Sequence, residues 1–104
     1  MRESVIQKGI LDYLKLFSKT KPIYFFRAGA GAMKTQQGRY FKTGKPGCPD
    51  IVCCFKGKFI GLEVKNEKGR QSQSQRKAEV EINDALGDYH IVRSISDVKE
   101  ILPL

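Results

Sequence analysis

The residues whose types and spacing could do chemistry lie between Gly47 and Lys65, in the run Gly47-Cys48-Pro49-Asp50-Ile51-Val52-Cys53-Cys54-Phe55-Lys56-Gly57-Lys58-Phe59-Ile60-Gly61-Leu62-Glu63-Val64-Lys65. Two apolar, β-branched and aromatic segments flank Lys56-Gly57, which reads as a tight hairpin turn with glycine supplying a positive φ. With the turn centred there, Phe55 faces Lys58, Cys53 faces Ile60 and Asp50 faces Glu63. Alternation along the strands puts Ile51, Cys53, Phe55, Ile60, Leu62 and Val64 on a core face. Asp50, Val52, Cys54, Phe59, Gly61, Glu63 and Lys65 fall on the other. Directly opposed residues have Cβ atoms about 4.5–5.5 Å apart, so two carboxylates there repel unless something compensates. A divalent cation would compensate. Mg²⁺ takes carboxylate oxygens and suits one or two of them plus a substrate phosphate. Lys65, on the same face, is placed to orient a metal-bound water or to meet charge developing on a phosphate. A Glu-x-Lys alone is ordinarily a solvated ion pair. Its register match to Pro49-Asp50 favours a catalytic corner.

The elements that must position this corner follow from periodicity. Ile6, Ile10, Tyr13 or Leu14, and Phe17 recur at helical spacing from Arg2 to about Ser18. Glu3 continues that stripe: it is either a first-turn carboxylate favoured by the helix dipole or a third contributor to a metal site. Ile23 to Arg27 reads as a strand. Ser72 is a good N-cap for a helix running to Leu86, with Gly87 at its stop and Ala78, Ile82, Ala85 and Leu86 on its buried stripe. Gln75 lies one turn earlier on the same stripe, placed either to bond the backbone or to support Glu63 and Lys65. Tyr89 to Arg93 reads as the last strand. Ser96 or Asp97 would cap a short final helix ending near Leu102. His90 is expected to be a half-exposed strand residue rather than a base.

Composition bounds the rest. The chain has 104 residues, which suits one domain over residues 1–104. Its hydrophobic and charged fractions, 40% and 29%, exclude wholesale disorder. No apolar run approaches the roughly 20 residues that span a bilayer, and no signal-peptide core is evident, so an intracellular protein is expected. The odd set Cys48, Cys53 and Cys54 contains no CxxC and argues against both a zinc site and a disulfide framework. Cys53 and Cys54 read as small buried apolar residues.

The net charge is +8. Between Tyr13 and Pro49 stand Lys15, Lys19, Lys21, Arg27, Lys34, Arg39, Lys42 and Lys45 with no acidic residue. Such asymmetry is the footprint of a polyanionic partner, and nucleic acid fits better than a membrane because no amphipathic membrane helix accompanies it. The Gly-rich segment 28–47, with Arg39, Tyr40, Phe41 and Lys42 interleaved, could track a DNA backbone and stack on unpaired bases. A minor β-hairpin or a partner-binding surface is equally compatible. Gly38 to Lys45 has the wrong spacing for a P-loop and Pro46 where Ser or Thr is needed. Gly29-Ala30-Gly31 lacks a dinucleotide fingerprint. No nucleotide cofactor is expected.

The order helix, strand, hairpin with Pro-Asp and Glu-x-Lys, helix, strand resembles the PD-(D/E)xK nuclease superfamily. Gly47-Cys48-Pro49-Asp50, Glu63-Val64-Lys65, Gly69-Arg70-Gln71-Ser72-Gln73-Ser74-Gln75 and Val92-Arg93-Ser94 are similar to the VRR-NUC domain within it, over nearly the whole chain. Gln71 and Ser74 depart from the apolar and proline residues the family often has. The resemblance implies an α/β fold with an αβββαβ restriction-endonuclease-like core, a mixed four-stranded sheet and a short C-terminal helix. It implies a metal-dependent endodeoxyribonuclease in which Asp50, Glu63 and the Val64 carbonyl ligate Mg²⁺ or Mn²⁺. Glu3 would add a helix-borne carboxylate, Lys65 would assist the attacking water, and Gln75 matches the family's helix glutamine. Arg27, Lys34, Arg39, Lys42 and Lys45 would hold DNA. The expected substrate is branched DNA such as a four-way junction, cut by a homodimer because two symmetric cuts need two sites about a two-fold axis. Its setting would be a bacterial cytoplasm or a phage-infected host. A flap or single-stranded DNA nuclease, a non-catalytic DNA-binding module and an RNA-processing protein are the alternatives.

Overall fold

The structure, a computed structural model, describes residues 1–28, 32–34, 36–38, 40–42 and 44–104, with 32–34 and 40–42 described by their backbone alone. Helix α1 (Glu3–Ser18) buries Ile6, Ile10, Tyr13, Leu14 and Phe17, the stripe that the helical spacing predicts. Then follow β1 (Tyr24–Arg27), β2 (Ala32–Lys34), β3 (Tyr40–Lys42), β4 (Ile51–Phe55), β5 (Lys58–Val64), α2 (Gln73–Asp84), β6 (Asp88–Val92) and α3 (Ile95–Ile101). One sheet has the order β1-β4-β5-β6, while β2 and β3 form a separate antiparallel ribbon. The expected αβββαβ order is therefore present, with a ribbon inserted between its first two strands. The pairs β1/β4 and β4/β5 are antiparallel. β6 runs parallel to β5 because α2 supplies the crossover that returns the chain to the same end of the sheet.

The hairpin register is the expected one: Phe55 pairs with Lys58, Cys53 with Ile60 and Ile51 with Leu62. Its turn places both Lys56 (φ 54°) and Gly57 (φ 76°) in the left-handed region, the type I′ signature whose twist matches the flanking strands. This register commits one face to the core. Ile51, Cys53, Ile60, Leu62, Val64 and Val92 pack with the α1 stripe and with Val98 and Leu102, all of them buried. Each such large side chain contributes about 1.5–3 kcal/mol on burial. The Tyr13 hydroxyl donates to the Leu102 carbonyl at 2.6 Å, which ties the end of α3 to α1.

The opposite face is only partly covered. α2 packs against β6, near one edge of the sheet. Cys54, expected to be buried, is therefore exposed, whereas Cys53 on the core face is fully buried. α2 is also shorter than the expected helix. It ends at Asp84 in a Schellman turn, with Leu86 N–H bonded to the Asn83 carbonyl and Gly87 N–H to the Ile82 carbonyl. Ala85 and Leu86 consequently leave the buried stripe and are exposed. The cap of α3 is Ser94 rather than Ser96 or Asp97, and its hydroxyl accepts from the Asp97 N–H at 3.2 Å.

Candidate active site

Glycine geometry delivers Asp50 to the sheet. Gly47 has φ +79°, and a Cβ there would stand 2.1 Å from the Ser74 carbonyl oxygen, so this backbone passes directly against the start of α2. Pro49 then lies on Gly61, where a Cβ would come within 2.5 Å of the proline ring. The Asp50 carbonyl accepts from Ala28 N–H at 2.8 Å, and its Oδ2 accepts from Val64 N–H at 2.7 Å. Main chain and side chain are thus fixed at the mouth of the β4/β5 pair.

Glu63 sits in the continuing register opposite Asp50, on the same face. It is 2% exposed, the one buried charged residue type among the described residues. Its Oε2 accepts from Gln75 Nε2 at 3.1 Å and lies 4.0 Å from Lys65 Nζ. Its Oε1 is buried without a hydrogen-bond donor. Burial pushes the Glu63 pKa up to about 9, the Asp50 carboxyl adds to the rise, Lys65 pulls the other way and Glu3 adds a smaller push. Burial and the neighbouring Asp50 carboxyl thus both favour the protonated form of Glu63.

Gln75 resolves the two roles considered for it by performing both. Its Oε1 accepts from the Ser72 N–H at 2.8 Å while the Ser72 hydroxyl accepts from the Gln75 N–H at 3.2 Å, a complete capping box. The other end of the same amide holds Glu63. Glu3, at the start of α1, comes to the corner from the side of the 66–69 turn, where its Oε2 accepts from Asn66 N–H at 3.4 Å. Among the described residues, no three His, Cys, Asp or Glu side chains converge as a metal-ligand group. The acidic set is a pair with Glu3 beside it.

The donor set fits a hard divalent cation. It offers carboxylate oxygens, a buried Oε1 that lacks a donor, and a second carboxyl, Asp50, close enough to raise the Glu63 pKa further beyond the effect of burial. The described basic residues divide. Lys45 lies on the carboxylate face beside α2, 3.6 Å from Glu81. Arg27 pairs across from Ile51 and lies on the α1 side with Ser4, Gln7, Lys8 and Leu11, the opposite face from the acids. Arg39 and the side chains of Lys34 and Lys42 lie outside the described residues. His90 is half-buried in β6, aligned with Leu62 on the core face rather than the acid-bearing one.

Tyr89 was not legible as a site neighbour. Parallel pairing aligns it with Gly61 on the acid-bearing face, and its hydroxyl is buried short of a full hydrogen bond. Burial pushes its pKa up to about 12, which the Gln71 amide opposes and Glu63 reinforces. The only sequence signal was the alternation of β6, which cannot be used until its register on β5 is known.

A mixed four-stranded sheet, with α1 and α3 on one face and α2 on the other, and an acid pair where β4 and β5 open, defines an α/β domain of the VRR-NUC fold. A solved structure described as "VRR_NUC domain" matches over 95% of this chain and 91% of its own, with TM-score 0.64 and 17% sequence identity. No family model matches the sequence, and no curated protein matches it. Among the described residues, no helix is long and apolar enough to cross a membrane.

Proposed function

We propose that this chain is a metal-dependent endodeoxyribonuclease that hydrolyses phosphodiesters in branched DNA, such as four-way junctions, as an intracellular homodimer. The observation that carries the reading is the Glu63 carboxylate, buried with one oxygen lacking a donor, beside Asp50 and within 4.0 Å of the Lys65 amine. Asp50, Glu63 and the Val64 carbonyl would hold Mg²⁺ or Mn²⁺, with Glu3 alongside. Such a cation, when bound, lowers the pKa of water and neutralises charge on phosphate oxygens.

The chain's own residues do the rest. Val64 N–H and Gln75 Nε2 hold Asp50 and Glu63 in fixed orientations. Glu63 would ligate a cation only as the carboxylate, so its proton would pass to solvent water when the cation binds. Lys65, whose side chain is 11% exposed, presents an ammonium to the water oxygen that attacks phosphorus and to the phosphate charge that grows as the P–O ester bond breaks. Lys45 and the basic segment from Arg27 to Lys42 hold the DNA backbone. Arg27, on the α1 face, serves only a strand that passes around the β1 edge.

Labelled four-way junction, flap, single strand and linear duplex incubated with Mg²⁺ or Mn²⁺ test the proposal. Paired symmetric nicks in the junction, abolished by EDTA and reduced about 10²–10³-fold in Lys65→Ala, are expected. Cleavage of flaps or single strands alone would reassign the substrate. Binding without cleavage by the parent protein would leave a non-catalytic module.

A further inference from the structure

Arg93, one residue past β6, is tied to neither carboxylate, yet its side chain reaches the turn that follows Lys65. Its Nη1 donates to the Asn66 carbonyl at 2.5 Å and to the Gly69 carbonyl at 3.0 Å. Its own N–H donates to Asp97 Oδ2 at 2.8 Å, so the base of the side chain is anchored on the first turn of α3. Within the turn, Gly69 N–H donates to the Asn66 carbonyl at 3.2 Å and Lys68 N–H to Asn66 Oδ1 at 3.0 Å, while Asn66 N–H donates outward to Glu3 Oε2 at 3.4 Å and Glu67 meets the exposed N-terminus at 3.5 Å.

Gly69 is the second observation. It is not among the glycines with positive φ, so its lack of a side chain answers to space. A Cβ there would stand 2.7 Å from Glu3 Oε2, 3.0 Å from Lys65 Cδ and 3.2 Å from Lys65 Cβ. The backbone of the turn is therefore the wall against which the lysine stem and the Glu3 carboxylate rest. A lysine stem has wide rotamer freedom, which this wall restricts alongside the ion pair of its ammonium with Glu63 at 4.0 Å.

We infer that Arg93 is a positioning residue: by bonding the carbonyls at both ends of the 66–69 turn, it holds Gly69 against Lys65 and Glu3. It thereby fixes where the ammonium meets the Asp50–Glu63 pair. The planar guanidinium can bridge two carbonyls with one rigid group, which a lysine ammonium on a flexible stem does not reproduce. This inference rests on the nuclease reading for its consequence in catalysis, and its geometric part stands apart from it.

Arg93→Lys and Gly69→Ala are the test variants. The second leaves every bond of Arg93 in place and pushes only on the Glu3 and Lys65 side chains. Each is expected to lower kcat about 10–100-fold with KM for DNA unchanged. Placed on the double variant Glu3→Gln, Lys65→Ala, each adds no further loss, because the turn acts on the site through those two side chains. Losses that multiply with that double variant, or an unchanged kcat in both single variants, would overturn the proposal. A readout independent of cleavage is NMR of protein whose lysines carry ¹³C-methyl groups, with Lys65 assigned by Lys65→Arg. The parent should give a Lys65 signal resolved from solvated lysines, and Arg93→Lys should move it towards them. A Lys65 signal unmoved in Arg93→Lys would also overturn the proposal. If the parent cuts no DNA, the nuclease reading fails, and the NMR comparison still decides what Arg93 does.

Discussion

At the scale of single residues, Glu63 sets the pH behaviour of the molecule. In the unfolded chain its proton leaves near the ordinary 4.5, whereas in the folded chain it is held to about 9. Between those values the folded state binds more protons, so the group's contribution is fully present below the ordinary value and is lost as pH rises towards the folded one. The melting temperature measured in EDTA should therefore fall from about pH 5 to about pH 9, and Glu63→Gln should flatten that fall. Cation and proton compete for the same oxygens, so added Mg²⁺ should raise the melting temperature more on the alkaline side of this range than on the acid side. A slope unchanged in Glu63→Gln would show that other groups carry it. Burial acts in the same direction on Cys53. Fully buried, with its pKa pushed up to about 12 by burial, it should resist thiol reagents in the native protein, while exposed Cys54 reacts readily.

At the scale of elements, the two ends of α2 behave differently. Its start is a capping box in which Gln75 also holds Glu63, so helix stability and site geometry share one side chain. Gln75→Glu keeps an acceptor for the Ser72 N–H but replaces the donor to Glu63 with a third carboxylate. It should lower thermal stability as well as cleavage, whereas Ser72→Ala, which removes only the cap, should cost about 1 kcal/mol in denaturant unfolding. The end of α2 is strained: Leu86 occupies the left-handed position of the Schellman turn, at φ 66°, and is 83% exposed. Leu86→Gly removes that penalty and should stabilise the protein by about 1 kcal/mol, read from the urea midpoint. Glycine stands one residue later instead, at Gly87, where a Cβ would come within 2.9 Å of the Ile82 side chain. Packing took the glycine that the turn would have used.

At the scale of the whole molecule, a net charge of +8 must act on any polyanion. If DNA is the partner, the logarithm of the association constant should fall linearly with the logarithm of salt concentration, and lysine-to-alanine changes at contacting positions should each lower the slope by about one. Lys45→Ala should do so. A salt-independent affinity would remove the electrostatic basis of the binding surface. Positive charge stands on both faces of the sheet, since Arg27 and Lys45 fall on opposite sides of it.

The periodicities of 3.6 and 2 in the chain determined by themselves the α1 stripe, the β4/β5 register and hence which side of the hairpin carries Asp50, Glu63 and Lys65. These are local properties, and the chain's own spacing suffices for them. The resemblance carried the order of elements further, to a mixed four-stranded sheet. The end of α2 at Asp84, the exposure of Cys54 and Leu86, and the placing of Tyr89, Arg93 and Gly69 around the acids were settled only by the tertiary structure. Each depends on where β6 lands beside β5 and how far α2 extends over the sheet, contacts between segments distant in the chain that no local pattern encodes.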